Sequence, residues 1–205
     1  TRGPGMGETH VRSSVHFVLD GRAVALDVGF QGGPAPTTTV LKYLRSLPNR
    51  KGVKEGCAEG DCGACTVVLA APVNGRLHYR AVDSCLLFLP MLDGQQLITV
   101  EDLRAPSGEL HPVQEAMVRM YGSQCGFCTP GLVMSMFALY KERPGAGTRE
   151  IREALAGNLC RCTGYQSVID ACAEACSRAG SDHFTSDASR ILHLLNTMPQ
   201  EPLRV

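Results

Sequence analysis

Eight of the ten cysteines in this chain fall into two sets of four, and each set joins stretches of sequence that lie far apart. The first is Cys57-x4-Cys62-x2-Cys65, completed by Cys85. The second is Cys125-x2-Cys128, completed by Cys160-x-Cys162. A fold that serves both must lay a glycine-rich loop onto a later segment at Cys85 and bring two separate turns together around the second set. Both spacings suit an iron–sulfur cluster, and the first is the plant-type arrangement of a [2Fe–2S] centre. A chain holding two such centres is expected to conduct electrons.

Ten cysteines in a short secreted protein would suggest a disulfide scaffold. At 205 residues and 44% hydrophobic, this chain is long enough to bury a core without such staples. Clustering of the cysteines among glycines favours metal ligation in a reducing compartment, so a cytoplasmic location is expected. There is no Trp, and aromatic residues make up only 5%, which argues against base stacking on nucleic acid. Lys plus Arg balances Asp plus Glu at 20 each, so no basic surface for nucleic acid is expected either. The longest apolar stretch, Cys85 to Leu92, is interrupted by Pro90 and falls short of the roughly 18 residues a membrane span needs. The N-terminal residues Thr1 to Gly7 lack a basic region followed by an apolar one and do not read as a signal peptide.

Residues 1–12 are glycine-rich and expected to be disordered. Val15–Asp20 and Arg22–Val28 alternate apolar and polar residues, and Asp20-Gly21 between them is a hairpin turn signal. Thr38 to Leu47 carries Val40, Leu41, Leu44 and Leu47 at helical spacing, before Pro48. Cys65–Ala70 and Leu77–Arg80 form a second hairpin candidate around Asn74-Gly75, and Leu97–Val100 reads as a last short strand. The order ββαβββ suits a small mixed sheet of the β-grasp kind. From Glu101 the pattern turns helical. Pro112 to Tyr121 carries Val113, Met117, Met120 and Tyr121 on one stripe. Thr129-Pro130 reads as a helix start with Thr129 as cap, followed by Val133, Met136, Phe137 and Tyr140. Thr148 is expected to cap a helix running to Ala156, and Thr163-x-x-Gln166 to form a capping box ahead of Val168, Ile169, Cys172 and Cys176. Four such helices would pack as a bundle. Ile191, Leu192, Leu194 and Leu195 suggest one short amphipathic turn. The expected fold is α+β: a β-grasp, plant-type ferredoxin domain over residues 13–100, a four-helix-bundle [2Fe–2S] domain over 101–178, and a linker or tail over 179–205.

In the loop from Lys54 to Cys65, Gly56, Gly60 and Gly63 allow backbone angles closed to other residues, so that N–H groups can point at the sulfurs. Such hydrogen bonds raise a cluster's reduction potential from a plant-type starting point near about −400 mV. Cys125 and Cys128 sit in one turn between helices, Cys160 and Cys162 in another, and the helix beginning at Thr129 would direct its positive end towards an anionic cluster. Zinc in a four-cysteine site is the bland alternative, but such sites often use two Cys-x2-Cys pairs and neither set has that form. Cys172 and Cys176, four apart on a helix, read as core residues. The histidines His10, His16, His78, His111, His183 and His193 have no partner at ligand spacing. Glu55, Glu59 and Asp61 read as a solvated loop. Neither a phosphate-binding glycine loop nor Gly-x-Ser-x-Gly is present, so no substrate site is expected within this chain.

Three segments carry a resemblance. Lys54-Glu-Gly-Cys-Ala-Glu-Gly-Asp-Cys-Gly-Ala-Cys-Thr66, Gly122-Ser-Gln-Cys-Gly-Phe-Cys-Thr-Pro-Gly131 and Gly157-Asn-Leu-Cys-Arg-Cys-Thr-Gly-Tyr165 together resemble the iron–sulfur region of the molybdenum hydroxylases, the xanthine dehydrogenase and aldehyde oxidase family. The likeness runs from about Val15 to Cys176 and is strongest to bacterial xanthine dehydrogenase small subunits. It implies two [2Fe–2S] clusters in this chain, with Cys57, Cys62, Cys65 and Cys85 on the first and Cys125, Cys128, Cys160 and Cys162 on the second. It implies an FAD-binding subunit or domain beside the first cluster. A molybdopterin-binding large subunit would lie beside the second, within a hetero-oligomer, and Gln124 and Cys162 would contact the pterin. In the family, substrate is hydroxylated at molybdenum with oxygen from water, and electrons pass through both clusters to FAD and then to NAD⁺ or O₂. Hypoxanthine or xanthine is the expected substrate, with an aldehyde, an N-heterocycle or an aromatic thioester as the alternative and a zinc-stabilised interaction module as the remote one. Bacterial small subunits often continue into an FAD domain, whereas this sequence stops at Val205, and its tail from Asp182 resembles the linker into such a domain. The chain is accordingly expected to be a separate subunit or a piece of a longer one.

Overall fold

The computed structural model describes residues 12–29, 32–178, 180 and 182–204. Residues 1–11 of the stretch expected to be disordered lie outside that range; Arg12 forms a parallel bridge with Leu203, and its guanidinium pairs with Asp93.

β1 (Ser14–Leu19) and β2 (Arg22–Asp27) form an antiparallel hairpin in which Leu19 faces Arg22. Asp20 and Gly21 at its tip have φ of 53° and 65°, the left-handed pair that an Asp-Gly turn adopts at little cost. β3 (Thr66–Val73) and β4 (Arg76–Asp83) repeat the device, with φ of 50° at Asn74 and 78° at Gly75. β5 (Gln96–Ile98) lies between the hairpins, parallel to β1 and antiparallel to β3, in the sheet order β2-β1-β5-β3-β4. Both hairpins are thus where the sequence puts them, and the last strand, expected over Leu97–Val100, ends at Ile98 because Thr99 caps a 3-10 turn over Val100–Leu103.

The period-two alternation of strands sorts the sheet's side chains onto two buried faces. Val15, Phe17, Leu19, Val67, Leu69 and Leu97 pack with Val40, Leu41 and Leu44 of α1 (Val40–Ser46). Val18, Val68, Ala70, Tyr79 and Ile98 point the other way, into a core built by α2 (Pro112–Arg119), α3 (Thr129–Glu142), α4 (Thr148–Leu155), α5 (Gln166–Ser177) and α6 (His183–Asn196). The helices therefore share a core with the sheet. At its centre is α3, buried over most of its 14 residues, as expected of a helix apolar all round. Phe137 of α3 meets Tyr79 edge-on at 5.8 Å and Phe184 of α6 at 4.8 Å.

Several local expectations need correction. The stripe over Pro112–Tyr121 is cut short: α2 ends at Arg119, and Tyr121, at φ 53°, lies outside it and exposed. Thr129 is the first residue of α3, with Cys128 at the cap; its hydroxyl bonds Ser123 Oγ at 2.7 Å instead. Gly147, not Thr148, stands at the α4 cap, and Glu150 takes the Gly147 N–H at 3.0 Å. The Thr163–Gln166 capping box does not form, because Tyr165 occupies the α5 cap at φ 68° and the Thr163 hydroxyl turns towards the Tyr165 N–H and the Cys160 thiol. The single turn expected near Ile191 is a helix of 14 residues, and Phe184, Ile191 and Leu195 bury its inner side. Among the described residues, no helix is long and apolar enough to cross a membrane.

Candidate metal centres

The first cysteine loop closes on itself where Lys54 N–H donates to the Ala64 carbonyl at 3.2 Å. Left-handed backbone at Ala58, Gly60 and Gly63 (φ 59°, 79° and 68°) folds it back tightly. The result points amides inward: Glu59 and Asp61 N–H groups lie 3.5 and 3.4 Å from Cys57 Sγ, and the Cys57 N–H lies 3.4 Å from Cys62 Sγ. These donors favour the thiolate, and those of Glu59 and Asp61 draw the Cys57 thiol down to about 7. Cys85, in the turn after β4, is delivered to Cys65 by Ser84, whose hydroxyl donates to the Cys65 carbonyl at 2.7 Å. Both are buried, and burial pushes the Cys65 thiol up to about 12.

The second set occupies the α2–α3 and α4–α5 turns, as the sequence suggests. Cys125 and Cys162 are exposed, with their sulfurs 3.6 Å apart. Cys128, at the N-terminal cap of α3, and Cys160 are half-buried. Burial pushes Cys128 up to about 12. Burial also opposes ionisation of Cys160, yet the Thr163 hydroxyl, 3.2 Å away, and the Thr163 amide outweigh it and bring the thiol down to about 7. Gln124 is exposed beside Cys125.

Each set is drawn together by its own bonds: the Cys57 N–H reaches Cys62 Sγ and Ser84 ties Cys85 to the Cys65 carbonyl in the first, and the Cys125 and Cys162 sulfurs lie 3.6 Å apart in the second. A single zinc ion gathers four ligands about one point. A [2Fe–2S] core has two tetrahedral irons, each taking two thiolates, and the four cysteines of each set supply that number. The inward amides add the hydrogen bonds that anionic cluster sulfurs accept. Cys172 and Cys176 stand apart as free thiols buried on α5.

The two loops touch. Leu159 N–H donates to the Cys62 carbonyl at 2.9 Å, and the Asn158 amide bridges Gly63 and Ser135. In the sequence Asn158 is only one letter of a motif, and nothing in its spacing announces a long-range contact. Near the second set in sequence, Tyr121, Phe127 and Leu159 are exposed, and just after Cys85 so are Leu86 and Phe88.

Comparison with known proteins finds a [2Fe–2S] domain over each cysteine set. A family model described as a 2Fe-2S iron-sulfur cluster binding domain matches residues 31–85, and one described as a [2Fe-2S] binding domain matches residues 99–173. The chain is 39% identical to human aldehyde oxidase over 170 residues, 82% of this chain and 12% of that protein. It is 47% identical to xanthine dehydrogenase of Blastobotrys adeninivorans over 151 residues, 72% of this chain and 11% of that protein. It thus spans only a small part of these relatives. Among solved structures, quinoline 2-oxidoreductase from Pseudomonas putida 86 superposes with a TM-score of 0.68 at 30% identity, covering 81% of this chain and 94% of that one. An aldehyde oxidoreductase from Desulfovibrio desulfuricans gives a TM-score of 0.68 at 32% identity, over 81% of this chain and 17% of that one.

Proposed function

Because the chain belongs to the molybdenum hydroxylase family, as its [2Fe–2S] electron-transfer region, we propose that it relays electrons from a molybdopterin-bearing partner to an FAD-bearing one. Cys57, Cys62, Cys65 and Cys85 hold one [2Fe–2S] cluster in this reading, and Cys125, Cys128, Cys160 and Cys162 the other. The observation that carries it is that a [2Fe–2S] domain model matches the stretch holding each cysteine set, residues 31–85 and 99–173, and that all four cysteines of each set are free thiols. When bound, each cluster supplies a one-electron carrier. The protein's own groups do the rest. Amides of Cys57, Glu59 and Asp61 stabilise the anionic sulfurs, and buried Cys65 and Cys85 keep water from one side of the first site.

The sheet and α1 are assigned as a β-grasp domain over residues 13–100, and α2 to α5 as a four-helix bundle over 101–178. Residues 179–205 form the segment that follows. Exposure of Cys125 and Cys162 among apolar side chains supports contact with the molybdopterin partner, with Gln124 and Cys162 reaching the pterin. Leu86 and Phe88 beside Cys85 support a flavin-side contact. Thiols kept for ligation favour a reducing, cytoplasmic setting, and the two apolar patches favour a hetero-oligomer. Hypoxanthine or xanthine is the proposed substrate of the assembly, since a xanthine dehydrogenase is among its relatives at 47% identity. Aldehyde oxidation is the second reading, favoured by the 39% identity to aldehyde oxidase over a longer stretch. Co-purifying the partner chains and assaying hypoxanthine, xanthine and aldehydes with NAD⁺ tests both. Purine-dependent reduction is expected; turnover of aldehydes alone transfers the assignment to the second reading, and a colourless, zinc-loaded assembly removes both.

A further inference from the structure

Asn158 lies between the two cysteine sites with only 3% of its surface exposed. Its side-chain oxygen accepts from the Ser135 hydroxyl at 2.6 Å, and its side-chain nitrogen donates to the Gly63 carbonyl at 2.9 Å and to Thr66 Oγ1 at 3.0 Å. The orientation of the amide is set by its neighbours: Thr66 Oγ1 gives its own proton to the Gly63 carbonyl at 2.7 Å, so it must accept from Asn158. The main chain of Asn158 is engaged too. Its N–H donates to the Leu155 carbonyl at 3.0 Å, and its carbonyl accepts from the Tyr165 hydroxyl at 3.2 Å.

Each of these side-chain tethers to the first loop is one step from a candidate ligand. Gly63 follows Cys62, and Thr66 follows Cys65. The Tyr165 hydroxyl that donates to Asn158 accepts the Cys160 N–H at 2.6 Å. The next residue, Leu159, donates its N–H to the Cys62 carbonyl. Glycine makes this approach possible: a Cβ on Gly131 would overlap the Gly63 carbonyl, and one on Gly63 would overlap the Gly157 carbonyl and the Asn158 amide. An aliphatic side chain of similar size could fill the space between these backbones. It could not fix their register, which here depends on one acceptor and two donors held in a plane.

We propose that Asn158 is a positioning residue that sets the register of the two cysteine sites against each other, and with it the coupling between the redox centres they hold. The proposal rests on the two-cluster reading above. Its test uses the protein with both clusters and its partner chains. Asn158→Asp keeps the shape and the acceptor for Ser135, but aims a carboxylate oxygen at the Gly63 carbonyl in place of an N–H. The expected result has three parts. Iron and acid-labile sulfide stay at the wild-type level. Hydrogen exchange at the Leu159 amide speeds up by about tenfold or more, as loss of a buried donor predicts. The magnetic splitting between the two reduced centres, read by EPR, is lost or reduced. Ser135→Ala, which removes a single tether, shifts both readouts in the same direction by less, and carries the test if the Asn158→Asp variant does not accumulate. Unchanged exchange and unchanged splitting in a fully loaded variant overturn the proposal, because a merely space-filling asparagine would behave so. A wild-type protein without iron and labile sulfide overturns the two-cluster reading itself, a different observation.

Discussion

His111, Asp182 and Lys141 show how single residues tie α6 to the rest of the molecule. The Nδ1 atom of His111 accepts the Val113 N–H at 3.3 Å, so its ring proton sits on Nε2 and is donated to Asp182 Oδ2 at 2.9 Å. Lys141 Nζ donates to the other carboxylate oxygen at 2.8 Å, and the Thr185 N–H joins it at 2.6 Å to cap the helix. Burial holds the His111 imidazole below its ordinary value despite the adjacent carboxylate. For Asp182 burial acts upwards, but the bonds from His111, Lys141 and Thr185 outweigh it and keep the carboxyl well below the usual range. Both groups thus resist protonation in the folded state more than in the unfolded chain. Stability is therefore complete above the unfolded histidine value of about 6.5, falls as pH drops below it, and falls again below the unfolded carboxylate value of about 3.9. Melting followed by circular dichroism should show a midpoint that declines in those two steps. Asp182→Asn should lose about 3 kcal/mol at pH 7, the cost of stranding a buried partner, and should flatten the lower step. A midpoint that rises on acidification would contradict this.

Among the elements, α3 has the widest reach, since it carries Cys128 at one end and packs along its length against both the sheet and the other helices. Phe137 is fully buried between Tyr79 of β4 and Phe184 of α6. Phe137→Ala should cost about 3–5 kcal/mol in urea unfolding, and the sheet and helices should unfold in one transition because they share that core. Two separated transitions would show that the layers are independent. The same element marks what the sequence discloses and what it hides. Local chemistry is legible: Asp20-Gly21 and Asn74-Gly75 announce both hairpins, and Val133, Met136, Phe137 and Tyr140 announce α3. The places of Cys125, Cys128, Cys160 and Cys162 in two turns between helices are legible as well. The helix caps fall beside their expected places because Cys128, Gly147 and Tyr165 take those positions, and Thr129 and Thr163 bond within the cysteine turns instead. The length of α6 and the burial of both sheet faces depend on contacts between residues distant in the chain, such as Ile191 and Phe184 against the common core. So does the role of Asn158, whose partner Gly63 is 95 positions away.

At the scale of the whole molecule, two sites of different construction meet where Asn158 and Leu159 bond to Cys62, Gly63 and Thr66. One is a looped set on a sheet; the other is gripped by two turns between helices. Their separate cysteines imply separate assembly: Cys128→Ala should abolish one EPR signal, leave the other, and reduce iron by about half. Loss of both signals would mean that the shared core makes the sites interdependent. The exposed pair Cys125 and Cys162 and the buried pair Cys65 and Cys85 place the sites in unlike surroundings, so their reduction potentials should differ. The central claim is that the chain carries two [2Fe–2S] centres, and low-temperature EPR of the dithionite-reduced protein with spin quantitation tests it most directly. Two distinguishable signals integrating to about two spins per chain are expected from two such centres. A silent spectrum from protein holding stoichiometric zinc, or one signal of about one spin in fully reduced wild-type protein, would contradict it.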